Sequence, residues 1–218
     1  MAFVAHVDGV PGLTDRAELH VTHEGYAGVN PVGGGVANIA LVVPARSAAG
    51  ARGDVAAFAL AALDRIPGVH GRVRRDQIVR PFLVTGPFAA RSRRVVTGGA
   101  LLVGDAADFF DPFKGEGICA ALRGAELVAE TAIDVLGSGD APSAARLAPY
   151  ASRRRAEFLG KWVVERMIGW GMLAPRLFDR AVERIERRGL AHTLIGVTGD
   201  FIPPREVLNP RFLAGMVL

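Results

Sequence analysis

An α+β fold is what this sequence predicts: an antiparallel sheet, one strand–loop–helix crossing and a helical C-terminal cap. Three observations carry it. Strand-like runs (MAFVAHVDGV, AELHVTH, GYAGVNPV, VANIALVV) take up most of the first 43 residues. Between Leu101 and Glu130 the order changes to apolar strand, acidic turn, Pro and Gly crossing, then long amphipathic helix. Beyond Gly137-Ser138-Gly139 the pattern stays helical. These shifts divide the chain into a sheet and crossover over 1–97, the crossing over 98–138 and a helical region over 139–218.

Each element has a local reason. From Ala17 to His23 apolar and polar residues alternate, as in a half-buried antiparallel strand. Gly33-Gly34-Gly35 follows Pro31 and precedes another strand-like run, so it is a hairpin turn and not the opening of a helix. Gly53 to Leu63 is an Ala-rich helix ended by Pro67-Gly68. Ile78 to Thr85 and Val95 to Thr97 are strands. Arg80-Pro81 and Gly86-Pro87 would interrupt a central strand, which makes the first an edge or a crossover. Phe82 and Phe88 are either core or pocket wall, with core the better fit to their type. Helices are expected from about Ser143 to Met172 and from Pro175 to Arg188, then short apolar segments near Leu190 to Val197 and Asn209 to Leu218.

The crossing carries the chemistry. Ala100 to Val103 is apolar enough for a buried strand, and Gly104-Asp105 sets a carboxylate where such a strand stops, the edge at which open α/β sheets bind ligands. Asp111-Pro112 turns the chain. Gly115 and Gly117 open a helix whose first amide N–H groups lack partners and carry the positive end of its dipole. The matching ligand has hydroxyl groups at one end and a ring that becomes negative at the other. A structural turn with an N-cap is the bland alternative for a strand, Gly-Asp and helix.

Gly104-Asp105-Ala106-Ala107, Asp111-Pro112 and Gly115-Glu116-Gly117-Ile118 together resemble the Gly-Asp motif of FAD-dependent monooxygenases and geranylgeranyl-reductase-like flavoproteins. The strands HEGYAGVNPVGGGVANIALVV, with Gly25, Tyr26, Pro31, Gly33 and Asn38, are similar to that superfamily's substrate-domain sheet. The resemblance runs from about residue 2 through at least residue 136 and implies part of an α/β FAD-binding fold. It implies that Asp105 bonds the ribityl chain of FAD, and that Pro112, Gly115, Glu116, Gly117 and Ile118 lie beside the isoalloxazine. There backbone donors would favour the charge that develops on the ring. No side chain stands out as a catalytic acid or base.

The superfamily's G-x-G-x-x-G unit, which holds the pyrophosphate, does not occur in the sequence. The expectation is therefore a C-terminal portion or split half of an FAD-dependent oxidoreductase, incomplete as a single chain. A truncated gene, a misplaced start codon or a separate upstream polypeptide would each produce it. Flavin-dependent halogenases of the superfamily carry W-x-W-x-I-P where this chain has Tyr26-Ala27-Gly28-Val29-Asn30-Pro31, so halogenation is disfavoured. Hydroxylation, or reduction of an olefin in an apolar or lipid-like substrate, is what the resemblance leaves, with NAD(P)H as an allowed electron donor. The alternative is a non-catalytic remnant or partner subunit that works by association with another chain.

Composition narrows the rest. At 218 residues, 50% hydrophobic and 22% charged, the chain is of ordinary globular make-up. The lone Cys119 excludes internal disulfides, and His6, His20, His23, His70 and His192 show no metal-ligand spacing, so no metal is expected. A net charge of +4 and a pI near 10.0 invite a nucleic-acid reading. All basic residues except Lys114 and Lys161 are arginine, in short groups without stacking aromatics, which disfavours it. No apolar run approaches the about 18 residues of a membrane span, and no signal-peptide pattern opens the chain, so a cytoplasmic location is expected.

The helix after Gly117 carries an apolar stripe of Ile118, Leu122, Ala125, Ala129, Ala132 and Leu136. The expected cover is an upstream-encoded N-terminal half or a second copy of the chain. Val163, Met167, Ile168, Trp170, Met172 and Leu173 form an apolar surface that packs helix on helix, lines a greasy substrate channel or touches lipid as a peripheral membrane contact, with helix packing the better fit.

Overall fold

The computed structural model describes residues 1–88, 90–109, 113, 115–172, 174–199 and 201–217, except for the side chains of Arg52, Ala90, Met172, Pro175 and Val217. The chain divides into two compact units, Met1–Pro87 and Phe88–Leu218. Helix and antiparallel sheet are both present, as an α+β chain requires.

The first unit is a five-stranded sheet with one helix. Strands β1 (Ala2–Asp8), β2 (Glu18–Thr22), β3 (Gly25–Gly33), β4 (Val36–Val42) and β5 (Ile78–Thr85) lie in the order β2-β3-β4-β1-β5, every neighbour antiparallel. Period-2 alternation sends Phe3, Ala5, Val7, Ala27, Val29, Ile39 and Leu41 to one face. Helix α1 (Val55–Asp64) closes that face with Ala59, Ala62 and Leu63. Asp54 caps α1 by accepting from the Ala57 amide at 3.0 Å. The glycine turn between β3 and β4 has φ values of 95°, 62° and 83° at Gly33, Gly34 and Gly35, which only glycine adopts without strain. Strand β5 is an edge, and its pairing with β1 is irregular on both sides of the Arg80–His6 pair, next to Pro81, which cannot donate to the ladder. A bidentate Arg72–Glu18 pair at 2.6 and 2.8 Å fastens the segment after α1 to β2.

The second unit is mainly helical: α2 (Gly117–Gly137), α3 (Ala144–Met172), α4 (Pro175–Arg187), α5 (Ala191–Thr198) and α6 (Pro210–Val217). Val164 of α3 packs with Val197, Val207 and Phe212 in one cluster, and Leu127 of α2 packs with Tyr150 and Phe158 of α3 in another. Two small ribbons complete it, β6 (Ala90–Arg91) with β9 (Asp108–Phe109), and β7 (Val96–Thr97) with β8 (Ala100–Leu101).

One expectation is corrected here. Ala100 to Val103 is not a buried strand: only Ala100–Leu101 pairs, in a two-stranded ribbon, and Ala100 is exposed. A strand is buried on both faces only where other elements cover both faces of its sheet, and among the described residues this one belongs to a two-residue ribbon with β7 alone. The α3 surface is mixed: Ile168 packs into the Val164 cluster, while Val163 and Trp170 are exposed. The Met172 side chain and Leu173 lie outside the described residues. No helix among the described residues is long and apolar enough to cross a membrane.

Candidate functional site

The crossing is built by close backbone approach. After Val103, Gly104–Ala106 makes one turn of 3-10 helix, with Gly104 at φ 59°. A Cβ on Gly104 would sit 3.1 Å from the Ala121 Cβ, and one on Gly124 would sit 2.7 Å from Val103 Cγ2. Glycine at both positions lets α2 lie against the turn that carries Asp105. Asp105 is exposed, and its Oδ1 lies 3.8 Å from the place a Gly117 Cβ would occupy, which sets the carboxylate at the N-terminus of α2. Gly115 has φ 71° and nothing within 4 Å of its missing Cβ. Glu116 precedes the helix without making a capping hydrogen bond. The first turn of α2 thus presents amide donors and the positive dipole end with two glycines and no bulky cap beside them.

Between this crossing and α3 lies a small cavity of about 70 Å³. Asp105, Asp108, Glu116 and Gly117 wall one side, and Arg154, Phe158, Lys161, Trp162 and Glu165 wall the other. Arg154 is 6% exposed and donates from Nη1 and Nη2 to the two carboxylate oxygens of Asp108, both at 2.9 Å. Its guanidinium also lies 5.1 Å from the Phe158 ring centroid and 5.4 Å from that of Trp162. The fork and the rings fix Arg154 in place. Tyr150, fully buried, donates to the Leu102 carbonyl at 2.6 Å and ties α3 to the segment before the turn. Burial pushes its phenol pKa up.

Asp105, Glu116 and Gly117 therefore share one wall. Gly115 is exposed at the turn before the helix, and Ile118, 77% exposed, sits on the outer face of α2 away from the cavity wall. Pro112, with Asp111, lies outside the described residues. Sequence reasoning missed Asp108, Arg154, Lys161 and Trp162. A signal existed, because Arg154, Phe158, Lys161, Trp162 and Glu165 recur at three- and four-residue spacing on one face of α3. Arg153-Arg154-Arg155 is one of several short arginine groups in the sequence, and nothing local distinguishes its buried member.

In the N-terminal unit, the sheet face away from α1 has its own pattern. Asn30, Asn38, His6 and Arg80 stand opposite one another on β3, β4, β1 and β5 in successive register pairs. His6, Asn30 and Asn38 are half-buried, and among the described residues none of these four side chains has a hydrogen bond or ion pair. The adjoining register row is Gly28, Ala40, Val4 and Leu83. A polar strip beside a row of small and apolar residues is a surface suited to a ligand of mixed character.

Neither a protein-family model nor a curated protein sequence matches the chain. Solved structures do, and they give it the fold of FAD-dependent monooxygenase-like flavoproteins. The flavin-dependent brominase Bmp2 is similar with a TM-score of 0.67 at 19% identity, over 89% of this chain and 49% of its own. The myxobacterial chondrochloren halogenase CndH is similar at 0.63 and 20%, over 75% and 40%. A geranylgeranyl bacteriochlorophyll reductase-like protein from Thermoplasma acidophilum is similar at 0.57 and 20%, over 79% and 43%. The chain spans half or less of the length of each. At such identities the likeness is one of fold, shared by halogenases and a reductase-like protein alike, so the fold does not choose among their chemistries.

Proposed function

We propose that this chain is the flavin-contacting and substrate-binding portion of an FAD-dependent oxidoreductase, acting on an apolar or lipid-like substrate by hydroxylation or reduction. The observation that carries the reading is the glycine-edged N-terminus of α2 with Asp105 beside it. These residues fit the redox end of the cofactor: Asp105 would accept hydrogen bonds from ribityl hydroxyls, Gly115 and Gly117 would admit a flat ring, and the amides of the first turn would favour a ring edge that carries negative charge. A cavity of about 70 Å³ is well below the roughly 300 Å³ at which ligand pockets begin, so a flavin held here would be received by the exposed residues of the crossing, Asp105, Gly115 and Gly117, and not by this cavity. Bound FAD would supply the two-electron chemistry, with NAD(P)H as the donor. Arg154, held by Asp108, keeps α3 and the crossing in register without taking part in proton transfer. Within the N-terminal unit, the Asn30, Asn38 and His6 strip is a proposed contact for a polar group of a ligand.

The pyrophosphate has no glycine loop in this sequence, and α2 exposes Ile118, Leu122, Ile133 and Leu136 along one face. Both features support an N-terminal half, carrying a G-x-G-x-x-G unit, that covers α2 and completes the cofactor site. They favour equally the reading of a non-catalytic subunit that works by association. Producing the chain alone and together with the product of the gene immediately upstream separates the two. Flavin absorbance in the joint preparation is the expected result. A stable complex that stays colourless with added FAD would favour the non-catalytic subunit.

A further inference from the structure

A second hollow bounded by described residues lies in the N-terminal unit, away from the strip on the sheet. It measures about 700 Å³ and opens between the β2–β3 turn, the end of β4 and α1. That volume falls inside the range of roughly 300–1,000 Å³ typical of small-molecule sites. Its floor is apolar, formed by Leu41 and Ile66 with Phe58 beside them. Its mouth is cationic. Arg65 donates from Nε to Glu24 Oε2 at 3.1 Å across the opening, which uses the one carboxylate in the lining. Arg46 stands at the same mouth, exposed, with no partner for its guanidinium among the described residues. An unneutralised arginine over an apolar floor rejects cations and gives a neutral polar molecule little to bury. It suits a hydrocarbon body ending in one anionic group. We propose that this hollow is a binding site for an apolar acid, a hydrocarbon chain or ring ending in a carboxylate or phosphate, with Arg46 as the residue that receives the anion.

Nothing in this site requires flavin, so it is tested by direct binding to the full chain without added cofactor. Isothermal titration below micelle-forming concentrations uses decanoate and, as its isostere of opposite charge, decylammonium. Saturable binding of one decanoate per chain is expected, with decylammonium at least about tenfold weaker. Arg46→Glu, an exposed change that leaves the floor intact, should lower decanoate affinity by about tenfold or more with an unaltered circular dichroism spectrum. Phe58→Trp puts a fluorophore in the wall, and its emission should shift as decanoate is added. Absence of saturable binding, equal affinity for the two isosteres, or undiminished decanoate affinity in Arg46→Glu overturns the proposal. So does unchanged emission from Phe58→Trp while decanoate binds, because the ligand would then be elsewhere.

Discussion

The sheet of the N-terminal unit and helix α2 of the C-terminal unit treat their apolar residues in opposite ways. One sheet face is closed by α1, and Phe3, Val7, Ile39 and Leu41 are at most 1% exposed. Helix α2 has two apolar faces. Gly124, Leu127, Thr131 and Val135 are buried, whereas Ile118, Leu122, Ile133 and Leu136 are 63–77% exposed. A helix apolar on both sides is one made to be covered on both. One face of the sheet is closed within its own unit, whereas the outer face of α2, from Ile118 next to the glycines to Leu136 near the C-terminal end, stays exposed. The site residues thus lie on the less self-sufficient of the two regions.

The sharpest way to break this contrast is through the buried anchor beside the crossing. Arg154→Met should destabilise the C-terminal unit by about 3–5 kcal/mol in urea denaturation, because Asp108 keeps a buried carboxylate without its partner. Replacing both, with Asp108→Leu added, should recover much of the loss, since it is the stranded charge that costs most. Next comes the contrast between the two faces of α2. Leu127→Ala is expected to cost about 2–5 kcal/mol, whereas Leu122→Ala should stay within about 0.5 kcal/mol in the chain alone. A comparable loss at both positions would mean that the outer face is already covered. The smallest effect concerns the sheet. The bond from Arg72, with help from His20, lowers the Glu18 pKa from 4.5 to about 2 against the opposing effect of burial. Because the folded value is depressed, the pair's contribution is full above the unfolded pKa of about 4.5 and is lost as pH falls through about 2. Thermal melts of Glu18→Gln should therefore lack that part of the acid dependence and match the wild type's slope elsewhere.

What was legible in the sequence was local. Strand-like runs placed β1 to β4, with alternation from Ala17 to His23 marking β2, the glycine triplet placed the β3–β4 hairpin, and Arg80-Pro81 narrowed β5 to an edge or a crossover, because each depends on residues a few positions apart. The Asp105 turn and the opening of α2 at Gly117 were legible for the same reason. What failed depended on distant partners. An apolar run such as Ala100 to Val103 has the same appearance whether it joins a wide sheet or a two-residue ribbon. Asp108 and Arg154 are 46 residues apart, and no periodicity joins them. The stripe of Ile118, Leu122 and Leu136 was visible, but that α3 would cover the opposite face of α2 was not, since Leu127 and Val135 supply an equally apolar alternative.

Riboflavin and FMN titrated into the chain, followed by flavin fluorescence, test most directly whether the crossing meets a flavin ring, because neither ligand needs a pyrophosphate seat. Saturable perturbation is predicted in the wild type. It should be weakened about tenfold by Asp105→Ala, which removes the acceptor for ribityl hydroxyls, and abolished by Gly117→Val, which puts a branched side chain where the ring must lie. Equal binding by all three proteins, or none by the wild type even when the upstream polypeptide is supplied, would contradict it.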